Sequence, residues 1–524
     1  MPSSQPSPPD PSTAKSRSVR VIFGALMLVM LLASLDQTIV STALPTIVGE
    51  FGQLAHLSWI VTAYLLTTTI VTPLYGKLGD LFGRKIVLQS AIVLFLVGSV
   101  LCGLSRSMGA LIAFRAVQGL GGGGLMVTIS AVVGDLFTPR ERGRYQGIFG
   151  GIFGLATVLG PLIGGFFVEH LNWRWIFYIN LPLGLVSLVI IGWAFTAPAP
   201  GRRPRIDIAG TILLATMLTA LILLTSFGGH GVAWLSAEAL GLAGVTVAAL
   251  AGFIVVEYCA AEPILPLHLF RNRIFTIACA IGFVVGLALF GSITFMPLYL
   301  QVVKGASPTG AGMTLTPMMA GVLITSITSG RIISRIGRYR PFPIVGTALV
   351  TVALSLLATL GVATSVGIAV FYMIILGLGL GLIMQVLVLA AQNAVDYRHL
   401  GVATSSATLF RSIGGSIGVS LFGAIFAAGL AANLGASLPP GTTLPDATAP
   451  AAIQALPGAT RELYLAAFTA ALHPVFIQGA ALSALAFALT WFLKEIPLRG
   501  ARSTASPAAP PRAYSEREES RGES

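Results

Sequence analysis

Stretches of about 20 mostly apolar residues recur along nearly the whole chain, and each is long enough to cross a hydrocarbon layer of about 30 Å as a helix. The runs are too long and too rich in Gly and Leu for barrel strands, which need only about 10 alternating residues. Composition agrees. Of the 524 residues 55% are hydrophobic and 10% charged, with a mean hydropathy of +0.87, whereas soluble domains carry roughly 25% charged residues. The chain therefore reads as an all-α membrane protein.

Fourteen spans are predicted, near 20–42, 56–75, 85–104, 108–134, 145–168, 175–195, 208–227, 237–259, 274–298, 309–329, 342–361, 366–391, 401–428 and 475–492. Residues 1–18 read as a disordered cytoplasmic tail with no cleavable signal, and 494–524 as a second one. An Ala/Pro-rich stretch, 430–474, reads as an extracytoplasmic loop with a short amphipathic helix around Leu463 to Leu472. The net charge of +12 would suggest nucleic acid in a soluble protein, but its distribution points to topology. With the first residue inside, 25 of the 31 Lys and Arg fall in cytoplasmic segments, as the positive-inside rule requires. Both termini are then cytoplasmic and the number of spans is even.

The chain also repeats itself. Gly76-Lys77-Leu78-Gly79-Asp80-Leu81-Phe82-Gly83-Arg84 returns as Gly330-Arg331-Ile332-Ile333-Ser334-Arg335-Ile336-Gly337-Arg338, an offset of 254. The same offset carries Arg144 to Arg398, Gly147 to Gly401, Gly160 to Gly414 and Gly164 to Gly418. Two homologous six-helix bundles, 19–196 and 274–493, with two additional spans in a linker at 197–273, account for the spacing. Parallel repeats of this kind are a transporter architecture.

Charge inside the spans is scarce. Arg115 costs at least about 2.5 kcal/mol to insert, so it must face a cavity or a counter-charge. Asp36 is the one acid well inside the membrane, roughly 24 Å along the helix from Arg20 at about 1.5 Å per residue, and Arg115 lies roughly 10 Å below an outer boundary near Met108. Across a core of about 30 Å those depths agree, so the two side chains can meet directly or through water. One buried carboxylate beside one guanidinium is a tunable proton site, for which a proton or a cationic substrate competes. A static ion pair, or a polar patch open to the outer mouth, would use the same residues.

Residues 76–85 resemble the signature of the major facilitator superfamily, with Gly76, Asp80, Gly83, Arg84 and Lys85 in place. That resemblance implies a cytoplasmic gate that latches the bundles together; the second copy has Ser334 for Asp80 and carries no equal charge latch. Leu111-Ile112-Ala113-Phe114-Arg115-Ala116-Val117-Gln118-Gly119 resembles the second signature, on a helix smoothed by Gly119 and Gly121 to Gly124. Leu35-Asp36-Gln37-Thr38-Ile39-Val40-Ser41-Thr42-Ala43-Leu44-Pro45 resembles the first helix of the drug:proton antiporters, departing at Ser41 and Thr42. Gly160-Pro161-Leu162-Ile163-Gly164-Gly165 resembles their hinge motif, which points to export, with Ala156 where Gly is usual. Asn172-Trp173-Arg174-Trp175-Ile176-Phe177-Tyr178-Ile179-Asn180-Leu181-Pro182 fits an interfacial belt and is also a marker of the fourteen-span branch, without a settled role.

The resemblance implies a major facilitator fold and a proton-coupled antiporter exporting drugs or other lipophilic, cationic small molecules by alternating access, with Asp36 and Arg115 coupling protons to substrate. Rival readings are an exporter of one endogenous metabolite, antibiotic or lipid, and a non-transporting sensor or scaffold. No enzyme motif or phosphate loop stands out, and no cofactor or metal is expected. The expected partners are the small-molecule substrate, protons and the lipid bilayer, with no nucleic acid and a functional monomer. Arg outnumbers Lys, as in GC-rich bacteria, so the expected location is the bacterial inner membrane. Gln385, Phe295, Met296, Tyr299 and Gln392 are candidate cavity residues that would equally suit packing, and Arg411 either packs against carbonyls or water or balances Asp36 or an anionic substrate. Cys102, Cys259 and Cys279 read as packing residues, and His56 and His473 as surface residues.

Overall fold

The structure is a computed structural model, described here for residues 11–51, 57–195, 207–227, 236–437, 453 and 456–498. Every regular element among them is helical. The first bundle comprises α1 (Pro11–Phe51), α2 (Leu57–Phe82), α3 (Arg84–Gly103), α4 (Met108–Leu136), α5 (Pro139–His170) and the broken pair α6 (Trp175–Tyr178) and α7 (Asn180–Ala194). The two added spans are α8 (Ile208–Phe227) and α9 (Ala237–Cys259). The second bundle comprises α10 (Arg273–Ile293) with its continuation α11 (Phe295–Val302), α12 (Pro308–Ile336), α13 (Pro341–Leu357), α14 (Val366–Asn393), α15 (Leu400–Ser437) and α16 (Gly458–Trp491). Thirteen of these spans are long and apolar enough to cross a bilayer. The 17 residues of α13 stand at the lower limit for crossing. The fourteen spans expected from sequence are present.

Three boundaries differ. Helix α1 begins at Pro11, within the stretch read as a tail, because Pro is tolerated in a first turn and nothing breaks the helix before residue 19. Helix α15 runs on to Ser437. Helix α16 starts at Gly458, so residues 458–474 of the segment read as a loop form the first half of one 34-residue helix containing Pro474, while 438–452 lie outside the described residues. Its apolar face, Tyr464, Leu465, Phe468 and Leu472, packs into the C-terminal core, and that burial outweighs the one backbone hydrogen bond that proline removes. His473 is not a surface residue: its Nε2 lies 2.8 Å from the Leu360 carbonyl, just past α13. His56 lies outside the described residues.

The repeat is visible in the packing. Helices α2 and α15 cross where Gly76 meets Gly401, and a Cβ on Gly76 would lie 2.7 Å from the Gly401 oxygen. The copy of that crossing, one repeat on, joins α12 to α5, where a Cβ on Gly330 would collide with the main chain of Gly143. Two glycine crossings thus fasten the bundles together at the arginine-rich end. Helices α8 and α9 pair with each other, and α8 packs on both α2 and α15. Thr225 Oγ1 of α8 lies 2.9 Å from Ser416 Oγ of α15, and Lys77 donates to Glu262, just beyond α9, at 2.6 Å. Large apolar side chains face outward, including Val189, Trp193, Val247 and Val255, as a hydrocarbon solvent requires.

A clasp closes the opposite end of the first bundle. Trp173 Nε1 donates to Glu50 Oε2 at 2.6 Å, and Arg174 donates to both Glu50 oxygens at 2.8 and 3.1 Å. Trp173 is therefore buried in the protein, and Trp175 is the exposed indole of the belt. Hydrogen bonds from Arg174, then from Trp173, hold the Glu50 carboxyl below the ordinary glutamate value of 4.5. A depressed carboxyl stabilises the folded chain above that value and loses its effect as pH falls through and below it. Because the Glu50 side chain is 41% exposed, screening limits the effect to about 1 kcal/mol or less. Glu50→Gln is expected to lower the unfolding temperature slightly at neutral pH, with the difference from wild type shrinking below pH 4.5. A difference independent of pH would remove the clasp from the account.

Candidate coupling site and gate

Asp36 sits on α1 and Arg115 on α4, and the structure joins them directly: Arg115 Nη1 donates to Asp36 Oδ2 at 2.8 Å. Neither side chain reaches solvent, at 0% and 1% exposed. The pair is embedded in a wider network. Gln118, one turn beyond Arg115 on the same face of α4, accepts from Arg115 Nη1 at 2.7 Å and donates to Asp36 Oδ1 at 2.8 Å and to Ser99 Oγ at 3.1 Å. Asn180, the first residue of α7, donates to Asp36 Oδ1 at 3.1 Å and to Ser99 Oγ at 2.9 Å. Ser99 of α3 passes its own hydrogen to the Phe177 carbonyl at 2.9 Å. Arg115 also donates through Nε to the Ile60 carbonyl at 3.3 Å and stacks over the Tyr64 ring at 4.2 Å, both on α2.

Close helix packing makes this possible. A Cβ on Gly98 of α3 would lie 2.6 Å from the Gln118 nitrogen, so only glycine lets α3 approach α4 there. The result is a buried network drawn from every helix of the first bundle except α5. Helix α5 bears on it from the side. Gly160 and Gly164 rest on Thr38, Ile39 and Thr42 of α1, and Thr38 Oγ1 donates to the Ala156 carbonyl at 3.0 Å. Pro161 lies inside the continuous helix, and Gly165 faces open space.

The residues read from sequence as a gate form a second cluster at the arginine-rich end. Asp80 accepts from the main-chain nitrogens of Gly401 and Val402, both at 3.1 Å, at the start of α15. A helix N-terminus favours such an anion. Arg84 pairs with Asp80 and, through Nε at 3.2 Å, with Asp135 of α4. Gly83 has φ +90°, a turn that glycine supplies, and Lys85 donates to the Gly192 carbonyl at 2.7 Å. In the second copy Ser334 Oγ accepts from the Arg144 nitrogen at 3.1 Å, a neutral bond in place of the charged one. Arg140 adds a bond to the Ser334 carbonyl at 2.7 Å.

The candidate cavity residues separate. Met296 and Tyr299 are fully packed in the C-terminal core, and Phe295 lies against Phe426 at 5.0 Å. Tyr299 donates to the Gly361 carbonyl at 3.0 Å, and Gln392 donates to Thr404 at 2.8 Å. All four are engaged within the protein in this state. Gln385 lies at the bundle interface beside Gly150 and Ser326, and Arg411 lines a crevice of the second bundle. Cys102 and Cys279 are buried and Cys259 is exposed. Sequence reading missed Gln118, Ser99 and Asn180 as parts of the site. The spacing of Gln118 from Arg115 was a usable signal, and the other two had none.

Two pseudo-equivalent helical bundles, a charged latch across one end and a buried ion pair at the core of one bundle define a membrane transporter. The sequence profile of the Major Facilitator Superfamily matches residues 26–419, and the chain belongs to that superfamily. It is 44% identical over 401 residues to the multidrug transporter protein MdtP of Bacillus subtilis, covering 76% of this chain and 74% of that one. It is 42% identical over 479 residues to an MFS-type transporter of Mycobacterium tuberculosis, covering 91% and 70%. In fold it is similar to the human organic anion transporter MFSD10, with a TM-score of 0.62 at 16% identity over 90% of this chain and 99% of that one.

Proposed function

We propose that this transporter is a proton-coupled antiporter that exports drugs or other lipophilic small molecules across a bacterial inner membrane, working as a monomer. The arginine-rich end is read as cytoplasmic, so the latched state has its inner side closed. The observation that carries the reading is Asp36, fully buried with three donors converging on its two oxygens. A proton arriving on this carboxylate meets no acceptor unless the network rearranges. Asn180 Oδ1 is an acceptor in the network that has no partner, and rotation of the Asn180 amide would present it to a protonated Asp36. Protonation would thereby loosen Arg115 and Gln118 from Asp36 and alter the packing of α1 against α5 at Gly160 and Gly164. Release of the Asp80 latch would follow as the inner side opens. The name of the B. subtilis relative supports a multidrug cargo.

The direct test is efflux into everted vesicles from cells expressing the chain, across a panel of dyes and antibiotics with and without a proton gradient. Uphill transport that needs the gradient is expected, and transport indifferent to it would end the proposal. Asn180 carries its own expectation. Asn180→Leu removes two donors from buried acceptors at a cost of about 1–3 kcal/mol, and the pH dependence of efflux should shift. An unchanged pH profile with normal stability would remove Asn180 from the mechanism.

A further inference from the structure

We propose that the second bundle holds a subsite for an anionic group of the cargo, centred on Arg411, so that the transported class includes amphipathic organic carboxylates. This rests on reading the chain as an exporter. Arg411 projects from α15 into an enclosed crevice lined by Ala278, Gly282 and Val285 of α10 and by Met384 and Val388 of α14. No hydrogen bond or ion pair joins its guanidinium to any described residue, and no acidic side chain lies near enough to offset its charge. Arg115, the other arginine deep inside a span, is satisfied by Asp36, Gln118 and the Ile60 carbonyl.

Arg411 is part-buried, and a guanidinium held deep inside a span without a counter-charge is costly. Such a group faces water or a partner inside the bundle, and here a ligand's anionic group can supply the charge missing beside Arg411. Its planar fork suits a carboxylate or another oxyanion, gripped by two parallel bonds, and the apolar wall around it suits the hydrophobic remainder of an amphipath. The charge balance elsewhere points the same way. Away from the helix ends, Asp36 is the one acid among the described residues, and its oxygens are already taken. Asp80 and Asp135 are engaged by Arg84 and the start of α15, and Glu257 accepts from the nitrogens of Ile264 and Leu265. Away from the helix ends, a cationic cargo finds no free carboxylate among the described residues in this state, whereas an anionic one finds a free guanidinium. As it stands the crevice has room for about one water, so the anionic group enters as α10, α14 and α15 part.

The test is equilibrium binding to the purified full-length chain in neutral detergent, read as a ligand-dependent rise in unfolding temperature. The ligands share one ring system and differ in charge: 2-naphthoate, 2-naphthylmethanol and 2-naphthylmethylammonium. Naphthoate should stabilise the wild type at lower concentration than the other two. Arg411→Gln should weaken naphthoate by at least ~10-fold, a free-energy change of about 1.4 kcal/mol, and leave the ammonium compound unchanged. Arg411→Lys should keep part of the preference. Without ligand, Arg411→Gln should melt no lower than wild type, because it removes a charge that has no partner. Naphthoate binding that is absent in the wild type, or equal in wild type and Arg411→Gln, overturns the proposal. Comparing the three ligands on the wild type decides the matter even if the glutamine variant does not fold. No gradient is involved, so failure here is distinct from failure of proton coupling, which would show as gradient-independent transport by the wild type.

Discussion

Asp36→Asn should abolish gradient-driven efflux, leaving vesicles indistinguishable from those without the protein. Asparagine keeps the shape of the site but cannot carry the charge that balances Arg115 at 2.8 Å. Breaking a buried pair by removing one partner costs about 3–5 kcal/mol, so the variant should also be less stable. Stability and transport can be separated by a second substitution. Asp36→Asn combined with Arg115→Gln removes both charges and should recover most of the lost stability, because residues in one network are strongly non-additive. Transport should stay absent in the double variant. If transport returned along with stability, the pair would be a structural ion pair and coupling would lie elsewhere.

Gly330→Val should be nearly as severe, although it alters no charge. A Cβ on Gly330 runs into the Gly143 main chain, and the next contact in space is Arg144 Cα at 3.3 Å. Backbone cannot yield as a flexible side chain can, so α5 and α12 must separate. Overpacking of this kind costs about 1–3 kcal/mol, and it falls on the contact that shuts the arginine-rich end. The expected outcome is a folded protein, by size-exclusion profile and helical circular dichroism, with efflux reduced at least ~10-fold. A Ser326→Cys reporter, placed where Gly147 and Gly150 cover it, should react faster with a thiol reagent applied from that end. Efflux at the wild-type rate would mean that the crossing does not gate transport. Gly76→Val should behave alike if the two crossings are true copies.

The membrane architecture was legible because hydrocarbon allows few solutions: apolar length counts spans, and Lys and Arg orient them. Element ends were less legible. Pro474, with Arg461 and Glu462 near the helix start, reads as loop, and only burial of Tyr464, Leu465 and Phe468 against the second bundle reveals a helix. Asp36 and Arg115 stood out because a charge inside a span needs a reason, and rise per residue brought their depths together. Ser99 and Asn180 did not stand out. Uncharged polar side chains are tolerated throughout such helices, and what they bond is fixed by which helices meet. Phe295, Met296, Tyr299 and Gln392 were ambiguous in sequence, since a side chain suited to a cavity is equally suited to a core, and in this structure they are packed or hydrogen-bonded. Arg411 was visible as a charge, but that it lacks a partner emerges only in three dimensions.

The most direct measurement of proton-coupled export uses purified protein in proteoliposomes carrying an imposed pH gradient, with the membrane potential clamped and a transported dye at equal concentration on both sides. Coupling at Asp36 predicts that the dye moves uphill, against the flow of protons, and that a protonophore stops it at once. Dye that only equilibrates, at the same rate with and without the gradient, would contradict it.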